Sequence, residues 1–132
     1  MTDLLQATHD AIFAALDVAA VTDLAPVFTN VPPERQPPFI EVGAIEAKQI
    51  GGKDGGLEQH AIEIEFRHRG QSKRPLFAMM IAAREQIEGA LLVAAGAAFG
   101  RPVWTDSATD REDDGVTHHG AMRFEVIVQQ DS

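Results

Sequence analysis

The 132-residue chain contains no cysteine and no tyrosine. Without a thiol there is no disulfide framework, no thiolate nucleophile and no cysteine-built zinc or iron–sulfur centre. Serine is nearly as scarce: it occurs at Ser72, Ser107 and Ser132, and none stands in the glycine-flanked turn that presents a hydrolase nucleophile. Long apolar runs are missing as well. The N-terminal stretch MTDLLQATHDAIFAALDVAA has no basic leader, and Asp3, His9, Asp10 and Asp17 interrupt it, which excludes a signal peptide or a membrane span and points to a soluble protein. Positive charge is in short supply. Twenty acidic residues against eleven basic give a formal charge of −9, and this opposes tight binding to phosphate backbones, which rests on clustered Lys and Arg. Lys73 and Arg74 make only a local basic patch.

The remaining composition suffices for a single domain over residues 1–132, a length at which about two-thirds of the unfolded surface becomes buried. Leu4, Leu5, Ala11, Ile12, Ala15, Leu16 and Ala19 recur at helical spacing, with Thr2 as a cap and Asp3 at the positive end of the helix dipole. In APVFTNVPPERQPPF, the prolines leave only a brief extended piece around Val27 to Asn30 free to pair. Strand alternation follows from Phe39 to Ile50, with Ile40, Val42 and Ala44 on one face and Ile45 on the other, and again from Leu57 to His68, with Ile62, Ile64 and Phe66 on one face. GGKDGG between them predicts a flexible hairpin tip.

Ser72 is placed to cap a second helix carrying Leu76, Phe77, Met80, Ile81, Arg84, Ile87 and Leu91 at helical spacing and ending between Gly89 and Gly96. A second hairpin spans Val103–Arg111 and Ala121–Gln129 and turns at Asp113, Asp114 and Gly115. The expected fold is therefore α+β: an antiparallel or mixed sheet of two hairpins plus a short strand, with two helices packed on one face and the other face solvated.

Five histidines invite a search for metal or acid–base chemistry. In a strand, His118 and His119 point to opposite faces, so one metal cannot take both without a bulge, and they read as solvated residues flanking a turn near Asp113 and Asp114. His60 and His68 share the apolar side of their strand and read as packed residues, and His9 reads as surface. Glu63 and Glu65 lie about 7 Å apart on one strand face, within reach of a catalytic carboxylate separation, yet Glu and Arg alternating with Ile is the ordinary pattern of a half-exposed strand. IGGKDGG lacks the phosphate-loop spacing and is followed by a strand instead of a helix. No catalytic residue, metal site or cofactor site assembles from these pieces.

Over almost its whole length, from LLQATHDAIFAAL through VFTNVPPERQPPFIEVG, LEQHAIEIEFRHRG and LFAMMIAAREQIEGAL to DGVTHHGAMRFEVIV, the chain resembles the tail-terminator or tail-completion proteins of tailed bacteriophages and phage-derived particles, including gene transfer agents. The resemblance implies a structural virion protein, not an enzyme, assembled in the bacterial host cytoplasm with no membrane contact. It would form a homo-oligomeric ring, commonly a hexamer, at the head-proximal end of the tail tube, stop tube polymerisation, and meet the tail tube protein and the head connector or stopper. DNA would pass through its lumen without specific binding, and the charge of −9 suits an acidic channel. The family pattern names no catalytic or ligand residue, so the candidate subunit or tube contacts are Lys53, Asp54, Glu63, Glu65 and Arg67. The alternatives are a head-completion or connector-stopper ring, and a small α+β enzyme or ligand-binding dimer, which needs a polar cluster facing a pocket.

Overall fold

The computed structural model describes residues 3–51 and 56–131. The first helix, α1 (Leu4–Leu16), is capped by Asp3, whose carboxylate accepts the Gln6 amide at 3.2 Å; Thr2 lies outside the described residues. Its buried stripe is Leu4, Ala7, Thr8, Ala11, Ile12 and Leu16. The helix does not run on to Ala19. Val18 adopts extended backbone angles, and a separate turn, α2 (Ala19–Thr22), redirects the chain so that Val21 and Ala25 fill the core.

The short strand β1 (Val27–Phe28) pairs in parallel with the start of β2 (Phe39–Gly51), which makes the sheet mixed. β2 and β3 (Leu57–Arg69) form the long hairpin, and β3 pairs antiparallel along its full length with β6 (Thr117–Gln130). On the other side of β6 lie β5 (Val103–Arg111), completing the second hairpin, and the three-residue β4 (Ala97–Phe99), which the sequence pattern does not reveal. The strand path is β1-β2-β3-β6-β4, with β5 also on β6.

Helix α3 (Arg74–Ile87) packs with α1 on one sheet face. The Ser72 hydroxyl accepts the Arg74 amide at 3.1 Å, but the cap position falls on Lys73, one residue later than the sequence suggests, and its side chain makes no capping bond. The helix ends when Glu88 turns extended and Gly89 takes a φ of +73°, so Leu91 is not on the helix. Its buried stripe is Leu76, Met79, Met80, Ala83 and Ile87, whereas Phe77 and Ile81, expected inward, are exposed. They sit on the flank of α3, outside the arc that reaches the sheet.

Period-two alternation explains the core. His60, Ile62, Ile64 and Phe66 of β3 face His118, Gly120, Met122, Phe124, Val126 and Val128 of β6 on the helix side, and each large apolar side chain there contributes about 1.5–3 kcal/mol through burial. At Gly120 a Cβ would stand 2.6 Å from the Met80 sulfur, so a side chain there would oblige the Met80 thioether to move, and its absence lets α3 sit close to β6. One expected face assignment is wrong. A bulge between Val42 and Ile45 shifts the β2 register, turning Ala44 to solvent and placing Ile45 opposite Ile62 against the core.

Candidate functional site

Glu63, Glu65 and Arg67 project from β3 on the face away from the helices, each half-buried between neighbouring strands. Lys53 and Asp54 lie outside the described residues. The register brings Arg123 of β6 opposite Glu63, Ala121 opposite Glu65, and His119 opposite Arg67. Arg67 Nε donates to Glu112 at 2.7 Å. His119 places Nε2 at 3.1 Å from Glu65 and Nδ1 at 3.6 Å from Asp110. Arg123 stands 4.0 Å from Glu46, and Gln59 donates to Glu125 at 2.9 Å.

An open depression of about 570 Å³ is lined by Arg67, His119 and the acids and arginine of the β5–β6 turn, Asp110 to Asp114. Two of the three strand candidates, Glu65 and Arg67, are thus joined by His119 and Glu112, with Asp110 on the far side of His119, whereas Glu63 stands opposite Arg123 outside this cluster. Residue type alone did not single these out, because the pairing of β3 with β6 that assembles them is long-range. Here Arg67, His119 and Arg123 each face a carboxylate, an arrangement suited to fixing a surface and contributing little to stability, since exposed pairs of this kind are worth about 0–1 kcal/mol each.

The histidines are more deeply placed than their sequence context suggests. His118 and His119 do point to opposite faces, but His118 is not solvated: it is 1% exposed, and its Nε2 lies 2.9 Å from the Gly70 carbonyl. Nor is His9 a free surface residue. It stacks on Phe13 at 6.2 Å, lies 3.1 Å from Asp10, and has a buried Nε2 with no hydrogen-bond partner. His60 is packed as expected, and its surroundings have the order of a hydrolase relay. Thr8 Oγ1 lies 2.8 Å from His60 Nδ1, and Glu58 Oε1 lies 2.8 Å from His60 Nε2. Thr8 and His60 are both 0% exposed, so this hydroxyl meets no substrate; the chain of bonds ties α1 to β3. Among the described residues, no group of three or more His, Asp or Glu is disposed to hold a metal ion.

Three groups bear on stability against pH, the first being Asp10, which its side-chain hydrogen bonds with His9 and then Gln6 hold below the ordinary 3.8. Burial, and secondarily the nearby His118, hold the His68 pKa below the ordinary 6.5. The folded state therefore prefers neutral His68, and stability present above about pH 6.5 is lost as pH falls and the unfolded chain takes up the proton. Asp114 is lowered from 3.8 to about 2 by hydrogen bonds from the Thr117 hydroxyl and amide and the Val116 amide, with Arg69 a lesser cause. Its contribution is present above about pH 4 and lost as pH falls towards 2. Thermal unfolding followed by circular dichroism should show a decline below about pH 6.5 that His68→Gln reduces, and a second in the acid range that Asp114→Asn reduces, with Asp10 contributing to what remains.

A helix-backed sheet with a charged outer face, an uncovered strand along much of each edge, and a Thr8–His60 pair closed to solvent make up a small α+β domain. The chain belongs to the family described as tail completion protein gp17, whose model matches residues 10–129, and it is a phage tail structural protein. Its fold is also that of a solved chain from the virion of a native gene transfer agent (GTA) particle, with a TM-score of 0.85 at 16% identity over 98% of this chain and 99% of that one. No curated protein matches it in sequence.

Proposed function

We propose that the protein forms a ring, commonly a hexamer, on the head-proximal end of the tail tube, where it stops tube growth and offers a surface to the head connector. Membership of a tail completion family supports a role in finishing the tail. The observation that carries the ring is the pair of uncovered sheet edges. β1 covers β2 only at Ile40 and Glu41, and β5 pairs with nothing but β6 among the described residues. Two edges on opposite sides of one sheet present unpaired backbone donors and acceptors, and a strand from a neighbour satisfies them. Unlike surfaces joined head to tail close into a ring when the rotation permits.

In this reading the charged outer face bearing Glu63, Glu65 and Arg67 lies at the boundary with the next subunit or the tube. The acidic balance keeps passing DNA from being held, no catalytic step is involved, and assembly takes place in the bacterial host cytoplasm. Contacts repeated around the tube end supply the avidity that a single subunit contact lacks.

Electron microscopy of tube protein polymerising with and without this chain tests the reading. Tubes of limited length carrying one extra ring at a single end are expected. Unchanged lengths with no added density would remove the terminator role, and binding to portal or adaptor rings instead would transfer the protein to a stopper role.

A further inference from the structure

Strand β5 has neither face covered. Every residue of Val103–Arg111 except Trp104 is exposed, whereas α1 and α3 lie on β2, β3 and β6. On its helix side, β5 and the flank of α3 leave an apolar groove of about 280 Å³ lined by Phe77, Ile81, Trp104 and Met122. Arg84 lies 3.9 Å over the Trp104 ring, and Trp104 Nε1 donates to Ser107 at 2.8 Å, so the indole is held in place.

The opposite edge of the sheet offers a match. β1 covers β2 only at Ile40 and Glu41, and residues 43–51 of β2 equal β5 in length. Glu46 and Lys48 are the charged residues of this stretch. Both point to the outer face, as Asp106 and Asp110 do on β5, because their register partners Ala61, Gln59, Arg123 and His119 lie on that face. On the helix side, Ala47 and Gln49 share a depression with Leu5 of α1, which is 45% exposed. The pairings β2–β3, β3–β6 and β6–β5 are all antiparallel, so β2 and β5 run in opposite directions within one copy.

We propose that β2 of one copy pairs antiparallel with β5 of a second in the register that sets Lys48 opposite Asp106, so that one sheet runs from copy to copy. This rests on the ring reading and assigns the contact within it. A copy added by rotation about an axis along the strands meets its neighbour with antiparallel edges and with the helices on the same side. The register follows from residue-by-residue charge. With Lys48 opposite Asp106, Glu46 falls opposite Ala108, and like charges stay apart. A slip of two residues, the smallest that keeps the faces, sets Glu46 against Asp106 in one direction and Asp110 in the other. The layers also agree in width. Four strands at about 4.8 Å span about 19 Å per copy, and two helices at roughly 8–10 Å cover the same distance, so the helix layer continues without a gap. In this register Ala47 stands opposite Ser107, and Leu5 comes over the bare helix side of β5 towards Phe77, Ile81 and Trp104.

The absence of cysteine permits a direct test with Ala47→Cys, Ser107→Cys and the double variant, oxidised in the presence of polymerising tube protein. Both positions are exposed, so the fold is retained, which circular dichroism verifies. A disulfide needs Cα atoms about 4.4–6.8 Å apart, a distance that directly opposed residues of paired strands supply. The expected result is a ladder of joined subunits extending to the ring size from the double variant, with each single variant remaining monomeric on a non-reducing denaturing gel. Added to the double variant, Lys48→Asp or Asp106→Lys should each raise the protein concentration for a half-maximal ladder roughly fivefold or more, and the two together should restore it. Tubes of limited length with an end ring but no ladder would overturn the register while leaving the ring standing. Dimers from Ala47→Cys alone would overturn it too, because β2 would then be meeting β2. A ladder indifferent to either charge reversal would overturn the Lys48–Asp106 opposition as what sets the register. If tube growth is not stopped, the termination reading fails separately, and the double variant oxidised at high concentration without tubes decides the pairing alone: a ladder upholds it and its absence overturns it.

Discussion

Phe124→Ala is expected to lower unfolding stability by about 3–5 kcal/mol. Phe124 is 0% exposed and stands in β6 between Ile62 of β3 and Trp104 of β5. Deleting the ring removes its transfer free energy and leaves a cavity that strands held on both sides cannot close. Against a total of about 5–15 kcal/mol for a domain of ordinary stability, that loss is a large fraction. Urea unfolding should show a lower midpoint with an unchanged slope, because the surface exposed on unfolding is nearly the same. Phe124→Leu keeps most of the volume and should cost about 1–2 kcal/mol. Ile127→Ala, on a side chain 40% exposed on the other side of the same strand, should cost no more than about 1 kcal/mol. The contrast between residues three apart follows from period two alone.

That alternation is also why so much of the sheet was legible. β3 and β6 carry apolar residues at every second position over long stretches, and the Asp113–Gly115 turn lies between two strand patterns, so both hairpins, both long helices and the α+β class follow from local signals. Readings failed where one residue decided the geometry. A bulge after Val42 exchanged the roles of Ala44 and Ile45, and two residues at Asp17 and Val18 split one apolar repeat into α1 and α2. β4 is three residues of Ala-Ala-Phe whose only sequence mark is its lack of charge, and it exists because the end of β6 offers an edge to pair with.

The candidate surface was legible only in part, for a related reason. Glu63, Glu65 and Arg67 share a face by local periodicity, but the partner of Glu65, His119, and the partner of Arg67, Glu112, lie more than forty residues away in the chain. The apolar groove was hidden by the opposite error. Helical spacing assigns Phe77 and Ile81 to a buried stripe, and only the arc of α3 that touches the sheet shows that Leu76, Met79, Ala83 and Ile87 occupy it. Arg84, which interrupts the expected stripe, marks where the helix face leaves the core and lies over Trp104.

The buried Thr8–His60–Glu58 chain makes the last prediction, one that separates a structural relay from a catalytic one. His60→Leu should cost about 2–3 kcal/mol, because it strands the Thr8 hydroxyl in the core and removes the bond between α1 and β3. Glu58 adds little to that loss: its side chain is 26% exposed and regains water when the imidazole is gone. Thr8→Val alone should cost about 1–2 kcal/mol, since His60 Nδ1 then lies unpartnered against an apolar methyl. The double variant Thr8→Val/His60→Leu should be less destabilised than the sum of the two by at least about 1 kcal/mol, because removing both polar partners leaves nothing unsatisfied and the space is refilled with apolar volume. Urea unfolding of the four proteins measures that coupling. A hydroxyl activated for chemistry would give a different result, with Thr8→Val abolishing function at unchanged stability. A relay that only joins helix to sheet predicts that tube termination follows stability across all four, and that the double variant caps tubes more fully than His60→Leu alone.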